Sequence, residues 1–241
     1  MDDSSTDNTD AVLAEYIAKD PRFKYFHRPD THLPGGNGAR NYGFLQCKGE
    51  CIQWFDSDDL MHPEKLEKKV QSFKTQKVDL VVSKSEYFNS DKESYPYNFT
   101  TENINFESFS MGNVTWITND FMIRREIALQ TTFNENLRAG QEYNYVCKAL
   151  LLTDKVFFIN DFLTKRRKGV ESIGNNRVKS KKKYLETRFM SYWLTCKDVS
   201  TMVNHSEYQK FSLLTCVSCY LRSGNSIVLP QGFVEELKKV F

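Results

Sequence analysis

Gly49-Glu50-Cys51-Ile52-Gln53-Trp54-Phe55-Asp56-Ser57-Asp58-Asp59 is the stretch whose reading decides the fold. Gly38-Ala39-Arg40-Asn41-Tyr42-Gly43 precedes it and Pro63-Glu64-Lys65-Leu66 follows it. Cys51 to Phe55 is short, apolar, partly β-branched and aromatic, and it follows a glycine turn, so it reads as a buried strand. The apolar run feeds directly into Asp56, Asp58 and Asp59. Open α/β sheets place ligands just beyond the carboxyl ends of their strands. If the backbone stays extended there, Asp56 and Asp58 leave on the same side. Their carboxylates are then hard oxygen ligands for Mg²⁺ or Mn²⁺, which in turn would hold a phosphate. Pro63 suits the first turn of a helix, with Glu64 near its positive end. Taken alone, the acids also fit a solvated turn. They equally fit a phosphatase of the haloacid dehalogenase type, with Asp56 as nucleophile and Asp58 as acid; that class expects Thr or Val where Leu60 stands.

Outward from this stretch, Asp2-Asp3-Ser4-Ser5-Thr6-Asp7 opens the chain. In order, these segments resemble the family 2 glycosyltransferases, whose pattern runs Asp-Asp-Gly-Ser-Thr-Asp, Ala-Arg-Asn-x-Gly, Gly-Glu-Tyr-Ile and Asp-x-Asp-Asp. The resemblance covers residues 2 to 170. It implies a GT-A fold: a mostly parallel, Rossmann-like sheet with helices on both faces. It also implies an inverting transfer of a sugar from a nucleotide-diphosphate donor, a UDP-sugar foremost, to a hydroxyl of a saccharide or lipid-linked acceptor. The expected setting is the synthesis of bacterial surface polysaccharide or glycolipid. Asp58, with Asp56, would hold Mn²⁺ or Mg²⁺; Asp2 or Asp3 would contact the nucleotide base; and Asp56 is a donor contact near the ribose or the metal.

Asn134-Glu135-Asn136-Leu137-Arg138-Ala139-Gly140-Gln141-Glu142-Tyr143 is the second chemical stretch. Its family counterpart is Phe-Asp-x-x-Leu, a spacer, then Gly-Glu-Asp-Tyr, in which the Asp is the catalytic base. Glu142 keeps a carboxylate at that position, one methylene longer, and Gln141 puts a neutral amide where the family has Glu. Read from its residues alone, Glu142 is equally an acid placed at a helix start by the dipole. Arg166-Arg167-Lys168 with Ser172-Ile173 resembles Tyr-Arg-x-His-x-x-Ser-Ile, so Arg167 is a donor candidate without the family's His. Arg40, near the start of an expected helix over 40–47, can reach phosphate bidentately or form a surface ion pair. Trp116 and Asp120 fall where the family carries acceptor contacts; for Trp116, core packing is the competing reading.

The resemblance places Asp2-Asp3 at the end of the family's second strand. About 40 residues of a preceding strand and helix, including a Pro-x-Tyr-Asn segment, are therefore expected ahead of Met1. Whether the chain is an enzyme or a non-catalytic fragment of one stays open at this point.

The remaining residues set bounds. The chain has 241 residues, 40 % hydrophobic and 27 % charged, with a net charge of +2. That suits a globular protein and gives no bias toward nucleic acid. No apolar stretch approaches the ~20 residues of a membrane helix, and the acidic, polar start does not read as a signal peptide. The six cysteines read as reduced thiols of a cytoplasmic protein, with Cys216 and Cys219 on one helix face. Phe23 to His27 alternates as a strand, and Leu66, Val70 and Phe73, at i, i+4 and i+7, mark a helix. A strand runs from Leu80 toward Tyr87, a lid or acceptor-facing loop over 89–105, and two strands follow at Val156–Ile159 and Phe162–Arg167. The expected division is a catalytic domain over 1–174 and a helical subdomain over 175–241. In the latter, Lys179, Lys181, Lys182 and Lys183 lie beside Tyr184, Phe189, Tyr192 and Trp193. That pattern fits a solvated face over a packed helix, or contact with the inner face of an anionic membrane. An oligomer joined through the open sheet edge is a further expectation.

Overall fold

The computed structural model describes residues 1–88, 104–167 and 180–241. Its elements run α1 (Thr9–Lys19), α2 (Gly36–Gln46), β1 (Cys51–Gln53), β2 (Leu60–Met61), α3 (Lys65–Gln76), β3 (Leu80–Phe88) and α4 (Phe106–Ser110). After a 3₁₀ turn at Thr118–Asp120 come β4 (Phe121–Arg124), α5 (Arg125–Ala128), α6 (Gln141–Leu152) and β5 (Val156–Arg167). The helices α7 (Lys181–Met202), α8 (Ser206–Arg222) and α9 (Phe233–Val240) complete the chain. No helix among the described residues is long and apolar enough to cross a membrane.

The sheet has the order β1-β4-β3-β5-β2. Its centre is the long parallel pair β3–β5, with Leu80 opposite Val156 and Phe88 opposite Arg167. The two expected strands over 156–167 are thus one strand, and the register shifts around Lys84. Against the expectation of a mostly parallel sheet, β1–β4, β4–β3 and β5–β2 run antiparallel. At the amino end, the expected strand over 23–27 is reduced to a parallel bridge between Asp2 and His27.

Period-two alternation organises β1 and its exit. Ile52 and Trp54 are buried on one face, where Trp54 meets Tyr145 at 5.0 Å and Phe133 at 5.3 Å between ring centroids. Gln53 and Phe55 face the other way, toward α3. That helix forms as expected, but lysines share its buried face with Phe73. Leu66 and Val70 are 47 % and 37 % exposed, whereas Lys65 and Lys69 are fully buried beside Phe73. The lysine stems pack as apolar surface and their ammonium groups find acceptors at the strand ends. Lys65 donates to the Asn119 carbonyl at 2.5 Å and to the Thr164 hydroxyl. Lys69 donates to the Asp120 carbonyl at 2.5 Å and to Gln53 Oε1 at 3.0 Å. Burial pulls the Lys65 ammonium down to about 8, against the opposing charges of Asp120 and Asp59.

The carboxyl-terminal helices share the core rather than standing apart from it. Val199 of α7 and Tyr208 of α8 belong to the same buried cluster as Trp54 and Tyr145. A second cluster, with Leu185, Phe189, Trp193 and Phe233, holds α7, α8 and α9 together. Phe189 and Trp193 are therefore core residues, and the basic start of α7 keeps only a partly exposed Tyr184 beside it. The 174/175 boundary, Lys168, Ser172, Ile173 and Lys179, and most of the expected lid over 89–105, lie outside the described residues.

Candidate functional site

The acids after β1 converge through a turn rather than an extended strand. Ser57 and Asp58 form the turn, which the Asp59 amide closes by donating to the Asp56 carbonyl at 3.3 Å. One carboxylate oxygen from each of Asp56, Asp58 and Asp59 falls within 4.8 Å of the others. Asp59 thus joins the two expected residues; its place beside Asp58 was the signal for it. Three carboxylates make a hard, all-oxygen donor set, which fits Mg²⁺ or Mn²⁺.

Each acid is held differently. The Asp56 carboxylate accepts from Arg40 at 2.8 Å. Asp59 has a nearly buried side chain, 6 % exposed. It accepts from the Arg167 amide at 2.8 Å and from Asn119 Nδ2 at 2.6 Å. Its carboxyl is pushed up, first by burial, with Asp58 and Asp56 adding, against the pull of the Arg167 amide and Arg166. A cation at the cluster would relieve that stress. Asp58 is exposed, and no hydrogen bond reaches its carboxylate among the described residues. Arg167 Nε donates to the Asp58 carbonyl at 3.1 Å, so the Arg167 guanidinium lies at the acidic turn.

Arg40 ties this turn to the second chemical stretch. It is the fifth residue of α2, which begins at Gly36, earlier than expected. One of its nitrogens holds Asp56; the other donates to Gln141 Oε1 at 2.8 Å. Gln141 is the first residue of α6 and Glu142 the second, so Arg40 links the start of α6 to the acid turn. Among the described residues no hydrogen bond or ion pair engages the Glu142 carboxylate. Gly140 precedes the helix with φ +70°, and a Cβ there would meet Ser191 Oγ at 2.0 Å, so α7 packs directly behind the start of α6. Glu135 fastens the strap before it. Its carboxylate accepts from the Leu33 amide at 2.6 Å and from Asn41 at 2.8 Å, and it pairs with His32 at 2.7 Å.

Asp2 and Asp3 take different places. Asp2 is buried; it accepts from the Ser5 amide at 2.9 Å and the Ser5 hydroxyl, and lies 3.3 Å from His27 Nδ1. Asp3 accepts from Arg28 at 2.5 Å and from the Gly35 amide at 2.6 Å. It anchors the glycine loop, and Arg138 closes the loop from the other side by donating to the Pro34 carbonyl at 2.6 Å.

Trp116 and Asp120 are both buried. Trp116 is 2 % exposed and packs on Phe109 at 4.5 Å; Asp120 is fully buried, accepting from the Ile117 amide at 3.0 Å and from the Ser85 hydroxyl. The neighbour that does reach the site, Asn119, carried no signal: it is a single amide distant in sequence from the acids.

A family model described as glycosyl transferase family 2 matches residues 1–139. The chain is 27 % identical over 187 residues to Glycosyltransferase GlyG of Streptococcus pneumoniae serotype 4, covering 70 % of this chain and 60 % of that protein. Among solved structures it superposes on S. aureus TarS 1-349 in complex with UDP-GlcNAc with a TM-score of 0.67 at 16 % identity. That match covers 99 % of this chain and 68 % of the other. It superposes on the mannosyltransferase PcManGT from Pyrobaculum calidifontis, in complex with GDP-Man and Mn²⁺, with a TM-score of 0.53 at 13 % identity, covering 99 % of this chain and 68 % of that one. At such identities the superpositions establish the GT-A fold alone.

Proposed function

The chain belongs to glycosyl transferase family 2, and on that premise we propose that it moves a sugar from a nucleotide-diphosphate donor to a hydroxyl acceptor by an inverting displacement. The observation that carries the reading is the Arg40 bridge, 2.8 Å to Asp56 on one side and 2.8 Å to Gln141 on the other. It ties the start of α6, on which Glu142 is the second residue, to a cluster of three carboxylates suited to a cation.

In this reading Glu142 accepts the proton of the acceptor hydroxyl as its oxygen attacks the sugar's anomeric carbon. The bond to the diphosphate breaks on the opposite face, which inverts that carbon. Asp58, Asp56 and Asp59 would hold Mn²⁺ or Mg²⁺, which when bound neutralises the departing diphosphate. Arg167, bonded along the same turn, adds positive charge there. Asp2 and the loop that Asp3 anchors form the candidate nucleotide end. A UDP-sugar is the first donor to try, since TarS was solved with UDP-GlcNAc; the acceptor proposed is a saccharide or lipid-linked chain of the kind used in surface polymers. We assign residues 1–174 to the catalytic unit and 175–241 to a helical unit that supports it. A phosphatase with Asp56 as nucleophile is disfavoured, because Arg40 holds that carboxylate.

The test is a set of parallel assays: nucleotide-sugar hydrolysis and transfer with Mn²⁺, the same with EDTA, and phosphate release from small phosphate esters. Metal-dependent consumption of a nucleotide sugar supports the proposal. Ester hydrolysis without it, or donor binding that ignores EDTA, refutes it.

A further inference from the structure

Beside Arg40 and Arg167, one buried side chain holds the acidic turn at both of its ends. Asn119 Oδ1 accepts from the Asp56 amide at 2.9 Å, and its Nδ2 donates to the Asp59 carboxylate at 2.6 Å. Asn119 thus spans the first and last acids of the turn. It is fully buried and lies on the 3₁₀ turn before β4. Its carbonyl accepts from the Lys65 ammonium at 2.5 Å and from Gln53 Nε2 at 3.2 Å. Lys65 reaches the Thr164 hydroxyl of β5 with the same ammonium and lies 4.9 Å from the centre of the Phe55 ring.

Three carboxylates this close repel one another, and a four-residue surface turn has little stiffness of its own to resist them. A carboxamide carries an acceptor and a donor on one short planar group, so Asn119 can accept at one end of the turn and donate at the other; an ionised aspartate has no donor. We infer that Asn119, braced by Lys65, is a positioning residue for the divalent cation, holding Asp56 and Asp59 at the spacing a small hard ion demands. The inference rests on reading the acidic turn as the metal site. Mg²⁺ and Mn²⁺ require short, closely fixed oxygen distances, whereas Ca²⁺ accepts longer and more variable ones. A loosened turn should therefore lose the small ions first. Residues that orient metal ligands from behind are commonly worth 10- to 100-fold in affinity.

Asn119→Ala and Asn119→Ser test this in the full chain. Mn²⁺ alone is titrated by the paramagnetic resonance signal of the free ion. Mg²⁺ and Ca²⁺ are measured by competition, and metal-free melting is followed by circular dichroism. The expected result is a 10- to 100-fold loss for Mn²⁺ and Mg²⁺, a smaller loss for Ca²⁺, and a cooperative metal-free melt in at least one variant, with Lys65→Met showing the same order of losses. Unchanged Mn²⁺ affinity in a folded Asn119 variant overturns the inference, as does an equal loss for all three ions or failure of both variants to fold. Absence of Mn²⁺ binding in the unsubstituted chain, or full binding by Asp58→Asn, overturns the metal reading itself, a separate outcome.

Discussion

At Asp58 and Glu142 the two chemical roles separate cleanly, because neither carboxylate is tied to a structural partner among the described residues. Asp58→Asn should leave the fold intact, since the side chain is exposed, and should weaken nucleotide-sugar binding in Mn²⁺ by at least about tenfold. Calorimetry with and without EDTA measures it. Glu142→Gln should keep donor affinity and lower transfer by about 10²- to 10⁴-fold, the usual worth of a positioned base. Single-turnover transfer beside donor titration reads the split; full transfer by the variant would move the base elsewhere. Gln141 departs from the family's acid, yet its amide still receives Arg40, so this substitution preserves the bridge that aligns α6 with the acidic turn.

Among the elements, α3 and α6 show how packing overrides pattern. The apolar spacing of Leu66, Val70 and Phe73 pointed to a helix, but it is Lys65 and Lys69 that are buried with Phe73, while Leu66 and Val70 stay exposed. Two carbonyls on the Thr118–Asp120 turn accept from the two lysine ammonium groups, as buried backbone oxygens require partners. For α6 the constraint is steric. Gly140 has φ +70° and no room for a Cβ against Ser191. Gly140→Ala should therefore destabilise the protein by more than the ~1–2 kcal/mol of the left-handed backbone alone. Transfer should fall too, since Glu142 lies two residues on. Urea denaturation of this variant with and without Ser191→Gly separates the two causes: the second change should recover the clash and leave the backbone cost.

Taken as a whole, the molecule is laced across its loops by carboxylates. Glu135 joins the strap before α6 to the glycine loop and α2. Its burial raises the carboxyl's pKa, but His32, Asn41 and the Leu33 amide outweigh that and hold it below the ordinary 4.5. A depressed acid stabilises the folded state above its unfolded value and loses that contribution as pH falls through the folded one. Stability should thus decline as pH drops below 4.5, and Glu135→Gln should flatten that limb while lowering stability at neutral pH. Thermal melts from pH 3 to 7 check it. Asp198 works similarly from the far side, accepting from Asn134 at 2.9 Å and Asn144 at 2.8 Å, so α7 steadies the segment that carries Glu142.

The order of short segments along the chain was enough to determine the family, the α/β character of the fold, the acids after β1 and the helix that begins at Gln141. Such features are local: a strand run ending in carboxylates or a glycine before a helix is written in adjacent residues. What only the tertiary structure decided was which groups meet. Asn119 spans Asp56 and Asp59, Arg40 reaches both Asp56 and Gln141, two lysines of α3 are buried while Leu66 and Val70 stay exposed, and Trp116 and Asp120 turn inward. None of these has a periodic signature, because each depends on where a distant strand end leaves an unpaired carbonyl, amide or carboxylate. A buried polar group must find a partner wherever the fold has placed one.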